Sequence, residues 1–234
     1  IQAVARTFGG FAQLSQENDS HLGGRVGVQG GRGQRPLGFG IVKLAQNAGG
    51  SGDDFLPLVL QSGDDGILRR MNRGYSRAFF EDLVFRLGRA IPDLAVGADV
   101  ICGFPGEDER AFANTCDLVS RLPIAYLHVF PFSPREGTPA SRFPDQVREE
   151  VIKARGAALR ELGNKKRMDF YRAHLGKRMQ VLIESKRDRK TGLLKGFSRN
   201  YIPVLTEGDD ALMNREAEIE AAELREDKIF GRII

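Results

Sequence analysis

The chain has only two cysteines in 234 residues, Cys102 and Cys116. That scarcity excludes a disulfide scaffold and fits a reducing compartment, the cytoplasm. Their separation of 14 positions is not the spacing of two metal ligands on one turn. No apolar run is long enough to cross a bilayer, and no secretory signal is visible. Neither a G-x-G-x-x-G nor a P-loop occurs among the early glycines, so a phosphate-cradling reading of them has no support. The chain begins with Ile1 rather than Met, which leads us to expect a partial sequence.

Charge is plentiful but unevenly placed. Residues 146–201 carry 16 Lys and Arg against 6 Asp and Glu, whereas 202–234 carry 4 against 9. Residues 1–54 and 55–145 are close to neutral. A basic block of this kind suits either a polyanion-binding surface or a solvated helix face, and charge alone does not choose between them. Residues 1–54 also hold 13 of the 28 glycines and show no periodicity. We expect them to form a flexible, aberrant or poorly ordered segment without a packed core.

The organising stretch is IPDLAVGADVICGFPGED, residues 91–108. Leu94 to Cys102 is short, apolar and bounded by Pro92 and Gly103, which predicts a buried strand. Alternation sets Ala98, Val100 and Cys102 on one face and Asp99, Ile101 and Gly103 on the other. A carboxylate in such a strand is costly unless it has a task. Phe104 to Glu107 turns the chain at the strand's C-terminal end, where parallel α/β folds keep their sites. Asp108 is set to cap the next helix, in which Phe112, Cys116 and Val119 share a face. Both cysteines thus read as packing residues.

Upstream, FLPLVLQSG predicts a strand that starts late or is damaged, because Pro57 removes a ladder hydrogen bond. Arg69, Arg70 and Arg73 follow, suited to phosphate contacts or to coating a helix. Ser76 caps a helix whose apolar stripe is Phe80, Leu83, Val84 and Leu87, ending at Ile91-Pro92. Downstream, AYLHVFPF predicts a third strand, with Tyr126, His128, Phe130 and Phe132 on one face. That face suits stacking of a base or an adenosyl group, or else forms a bulky aromatic core. Residues 146 to about 175 read as a long helical region with Val151, Ala154, Ala158, Leu159 and Leu162 as its apolar edge and Gly163 as a break. From Gly176 onward, short alternating runs predict a small β-barrel.

GADVICGFPGED, FLPLVLQSG with DDGILRRMNR, and FSPREGTPA together resemble the radical S-adenosylmethionine methylthiotransferases. LPIAYLHVFPFSPREGTPASRFPDQV is most similar to the branch acting on threonylcarbamoyladenosine in tRNA, and GKRMQVLIE with SRNYIPV resembles the terminal TRAM domain. The resemblance covers residues 55 to the end. It implies an α/β fold: a partial, TIM-like radical-SAM half-barrel with helices over 55–175, then an all-β TRAM barrel over 176–234. It implies S-adenosylmethionine and [4Fe-4S] clusters as cofactors, although cysteines for the clusters are absent from this chain and no metal ligand is assigned. Cofactor-binding residues by resemblance are Gln61, Ser62, Asp99, Ile101, Gly103, Phe132 and Ser133. No catalytic residue is assigned. The implied partner is tRNA, through an anticodon-loop adenosine, with Lys177, Arg178, Lys195, Arg199 and Tyr201 meeting the RNA. Alternatives are a non-catalytic tRNA-binding fragment, an enzyme for isopentenyladenosine tRNA or a ribosomal protein, and a non-functional gene fragment.

Overall fold

A computed structural model describes residues 54–234; the expectation of flexibility for the glycine-rich beginning lies outside the described residues. Three strands, β1 (Phe55–Gln61), β2 (Ala95–Cys102) and β3 (Tyr126–Pro131), form a parallel sheet in the order β1-β2-β3. Parallel neighbours need crossovers. These are α1 (Asp65–Arg70) and α2 (Arg77–Ala90) after β1, and α3 (Glu109–Arg121) after β2; α4 (Glu149–Arg172) follows β3.

The caps are those the residue types call for. Ser76 accepts a hydrogen bond from the Phe79 amide at 3.2 Å, and Asp108 accepts one from the Ala111 amide at 2.7 Å. Phe80, Leu83, Val84 and Leu87 of α2 are all buried against the sheet. Each such side chain contributes about 1.5–3 kcal/mol. Helix α2 stops at Ile91, whose backbone is extended, because Pro92 disfavours a helical predecessor. Cys102 is buried on the helix-facing side of β2 and Cys116 packs partly buried against the same core.

Three expectations are corrected. Strand β1 neither starts late nor is damaged: it runs from Phe55 through Pro57. The Ala95 amide bonds to the Asp54 carbonyl, so even-numbered residues of β1 turn their backbone toward β2 and the proline nitrogen turns away from it. Helix α4 is unbroken at Gly163. A Cβ there would lie 2.9 Å from Cβ of Leu127, so this glycine serves close packing of α4 on β3. The buried edge of α4 matches the apolar one expected only in part: Leu159 is buried and Leu162 packs partly buried against the core. Val151, Ala154 and Ala158 are not buried, whereas Arg155, Gly156, Leu159 and Gly163 are. Two glycines and an ion-paired arginine set the face, which a count of apolar residues misses.

The rest closes into a barrel, β4 (Arg178–Ile183), β5 (Leu194–Ser198), β6 (Pro203–Thr206), β7 (Glu216–Arg225) and β8 (Lys228–Ile233), in the order β4-β5-β6-β8-β7. Closure removes exposed strand edges. Val181, Ile183, Leu194, Ile202, Val204, Ile219 and Ile229 fill it, with Tyr171 of α4 in the same cluster. The run Leu193 to Leu205 is two strands, divided by a turn in which Tyr201 adopts φ 63° and its amide bonds the Ser198 carbonyl. Tyr126 of β3 ties barrel to sheet. Its hydroxyl donates to the Tyr201 carbonyl at 2.8 Å, and its ring meets those of Phe55, Phe170 and Tyr171. Asn200 adds a bond to the Asp93 carbonyl at 3.1 Å.

Candidate functional site

One face of the parallel sheet is covered by helices. On the other, register aligns Val59 with Asp99 and Asp99 with His128, and then Ile101 with Phe130. Val59 is 45% and Phe130 51% exposed, so this face presents large apolar groups to solvent. Asp99 lies half-buried between its neighbours. Burial raises its carboxyl above the ordinary range, and the facing His128 partly offsets the rise. The arrangement sets one carboxylate between apolar surfaces open to solvent.

The strand ends hold the other expected residues in different ways. Gln61 is buried with φ 63°, and its Oε1 accepts from Arg73 Nη2 at 3.0 Å. Ser62 is buried against α3, its Oγ 3.4 Å from Thr115 Oγ1 and accepting from the Asp64 amide. Thr115 Oγ1 also accepts from the Gly63 amide at 2.9 Å. Gly103 has φ +79°, and a Cβ there would lie 2.3 Å from Ile152 Cγ1. Its close neighbour is therefore α4, and its glycine is demanded twice over. Ile101 and Phe132 pack with Ile67, Phe104 and Phe143, the Phe104 and Phe132 rings meeting edge-on at 5.2 Å. Ser133 is exposed. Tyr126, expected on the ligand face, is committed to the barrel junction instead.

Beneath the turn sits a pair that sequence reasoning passed over. Glu107 is buried, accepting from the Gly103 amide at 2.8 Å and from Arg155 Nη1 at 3.1 Å. Arg155 also donates to the Glu107 carbonyl and to Glu109. Burial raises the Glu107 carboxyl, with the Gly103 amide and Arg155 holding it back. The motif's Glu107 was a visible signal; Arg155, inside a charged helix, gave none. Thr115 likewise had no signal beyond its place one turn from Ala111.

The expected RNA residues lie on the barrel and at its base. Lys177 bonds Asp93 at 2.6 Å, and Arg178 is exposed at the start of β4. Lys195 pairs with Glu184 at 3.0 Å and Arg199 with Glu216 at 3.1 Å, all four partly exposed. Tyr201 is half-buried, its ring 4.9 Å from that of Phe55. Of the cations expected to coat a helix or meet phosphate, Arg70 lies over the Phe143 ring and Arg73 holds Gln61.

Among the described residues no group of three or more His, Cys, Asp and Glu is arranged to hold a metal ion. No helix among them is long and apolar enough to cross a membrane. The two thiols do not fit a cluster, which needs several thiolates converging on one site: Cys102 is buried in the helix–sheet core and Cys116 packs partly buried against it.

Fold and site thus define a class: a parallel α/β sheet with one open face, joined to a small closed barrel. No family model matches the chain. Curated relatives do. It is 37% identical over 158 residues to a tRNA-2-methylthio-N(6)-dimethylallyladenosine synthase of Pelotomaculum thermopropionicum, covering 68% of this chain and 35% of that protein. The Threonylcarbamoyladenosine tRNA methylthiotransferase MtaB of Rickettsia prowazekii is 41% identical over 147 residues, 63% of this chain and 33% of its own. A synthase of the first kind from Oceanobacillus iheyensis is 35% identical over 194 residues, 83% of this chain and 37% of its own. These relatives support the radical SAM methylthiotransferase family for this chain, which spans about a third of their length.

Proposed function

We propose that the chain is the part of a tRNA methylthiotransferase that presents S-adenosylmethionine and the target adenosine to each other and holds the tRNA. In this reading residues 55–175 are the second part of a radical-SAM half-barrel and 176–234 a TRAM domain. The open face of β1 to β3 receives the adenosyl group: Asp99 accepts hydrogen bonds from it, Ile101 packs on its ring, and Gln61, Phe132 and Ser133 line the strand ends. S-adenosylmethionine, when bound, supplies the hydrogen-abstracting chemistry at adenosine C2. The cysteines of this chain do not fit a [4Fe-4S] cluster, so cluster chemistry belongs to residues beyond Cys102 and Cys116. The phrase shared with the threonylcarbamoyladenosine branch favours N6-threonylcarbamoyladenosine as target, and dimethylallyladenosine is the second reading because relatives of both kinds match.

The observation that carries the proposal is the union of an open, apolar-flanked Asp99 face with a closed barrel through Tyr126. A nucleoside site and an RNA-holding module set at a fixed distance are what a tRNA-modifying enzyme needs. The test is tRNA binding by the full chain. Affinity in the micromolar class at low salt is expected, falling steeply as salt rises because phosphate contacts release counterions. Reversing Lys195 and Arg199 to Glu should weaken binding and flatten the slope. No binding of tRNA at low salt would defeat the proposal.

A further inference from the structure

The ring with which the barrel offers a stacking surface is not Tyr201 but Phe197. Phe197 and Leu182 are direct cross-strand partners on β5 and β4, and both point out of the barrel, 45% and 55% exposed. Alternation makes Lys195 an outward neighbour on β5, and Arg199 opens the turn that follows the strand. Beneath them β4 and β5 approach so closely that a Cβ on Gly196 would lie 2.2 Å from the Leu182 carbonyl oxygen. That close approach fixes the backbone from which the exposed ring projects. Phe197 therefore contributes little to the barrel core, and with Leu182 beside it forms a contiguous exposed apolar pair.

Charge chooses the occupant. The pairs that Lys195 and Arg199 make with Glu184 and Glu216 lie at the surface, where such pairs are weak and give way to a better anion. On the far side of β4, strand β7 turns Glu216, Glu218 and Glu220 outward, in register with Leu182, Gln180 and Arg178. A polyanion is thus turned away from β7 and left the β5 side, where Lys195 and Arg199 lie beside the apolar pair, each shared with a surface carboxylate. Duplex RNA keeps its bases stacked and cannot use a ring; an unpaired strand can.

We infer that Phe197, backed by Leu182 and flanked by Lys195 and Arg199, is a stacking platform for an unpaired base of bound RNA. The inference deepens the RNA-holding role proposed above and rests on it. The test uses the full chain and a 12-nucleotide single-stranded oligoadenylate carrying one 2-aminopurine, with the same strand in duplex form as control. The native chain should quench the 2-aminopurine and prefer the single strand. Phe197→Ala should weaken binding by about 5- to 150-fold, abolish the quench and leave the salt slope unchanged. Phe197→Trp should keep both. Phe197→Leu keeps an apolar surface for the fold and should lose the quench, so a folding defect in the Ala variant would not decide the matter. If the native chain binds RNA and Phe197→Leu binds and quenches equally well, the platform is overturned while the RNA-holding role stands. If the native chain binds no RNA, both fall. Self-association lost on Phe197→Ala without any RNA binding would assign the patch to a second copy of the chain and overturn the inference.

Discussion

Replacing Arg155 by Met should destabilise the fold by about 3–5 kcal/mol, the usual cost of removing one partner of a buried ion pair. The guanidinium makes three bonds that Met cannot: to the Glu107 carbonyl at 2.8 Å, to Glu107 Oε1 at 3.1 Å and to Glu109 Oε1 at 2.9 Å. The Glu109 bond counts least, since that side chain is 86% exposed. What remains is a buried carboxylate held by the Gly103 amide. The loss should also depend on pH. Burial already raises the folded Glu107 carboxyl above its ordinary 4.5. A group so raised favours the fold most below 4.5, and that contribution disappears as pH rises through the folded value. Arg155 is one of the causes holding the carboxyl down, so its removal moves the folded value further up and widens the window. Arg155→Met should therefore cost more at pH 8 than at pH 5, and adding Glu107→Gln should recover part of the loss and erase its pH dependence. Urea unfolding followed by the fluorescence of the four tyrosines, with no tryptophan to mask them, is the assay. A loss below about 1 kcal/mol, or one equal at both pH values, would refute the reasoning.

Asp188 makes the β4–β5 turn through bonds from the Lys190 and Thr191 amides and the Thr191 hydroxyl, with Lys228 3.3 Å away. The Thr191 bonds lead in pulling its carboxyl down to about 2. Its contribution is present above the ordinary 3.8 and is lost as pH falls through about 2, so the Thr191 amide resonance should titrate near 2; a midpoint near 3.8 would contradict this. Reconstituted anaerobically with iron and sulfide, the chain should hold no stable four-iron cluster. Stoichiometric cluster absorbance that vanishes on Cys102→Ala would show that Cys102 is not the packing residue described here.

What the sequence disclosed was mostly local. The caps at Ser76 and Asp108, the stripe of α2 and the two faces of β2 follow from spacing alone, because each depends on residues within one turn or one strand. Burial of Cys102 was legible for the same reason. What escaped depends on partners far along the chain. Gly163 reads as a break until Leu127 is seen against it, and Pro57 reads as damage until one knows which side β2 lies on. Arg155 looks solvated until Glu107, 48 positions away, is placed beside it. The placement of Asp99 and Ile101 on the face of β2 away from the helices was legible from alternation. The commitment of Tyr126 and Tyr201 to the junction was not, because only the docking of barrel on sheet turns those rings inward.

What we propose for the chain is that sheet face and barrel together serve one adenosine of a bound tRNA. Hydroxyl-radical footprinting of tRNA bound to the full chain tests it most directly. Protection concentrated in the anticodon stem-loop is the predicted result; protection confined to the acceptor stem, or none at saturating protein, would contradict it.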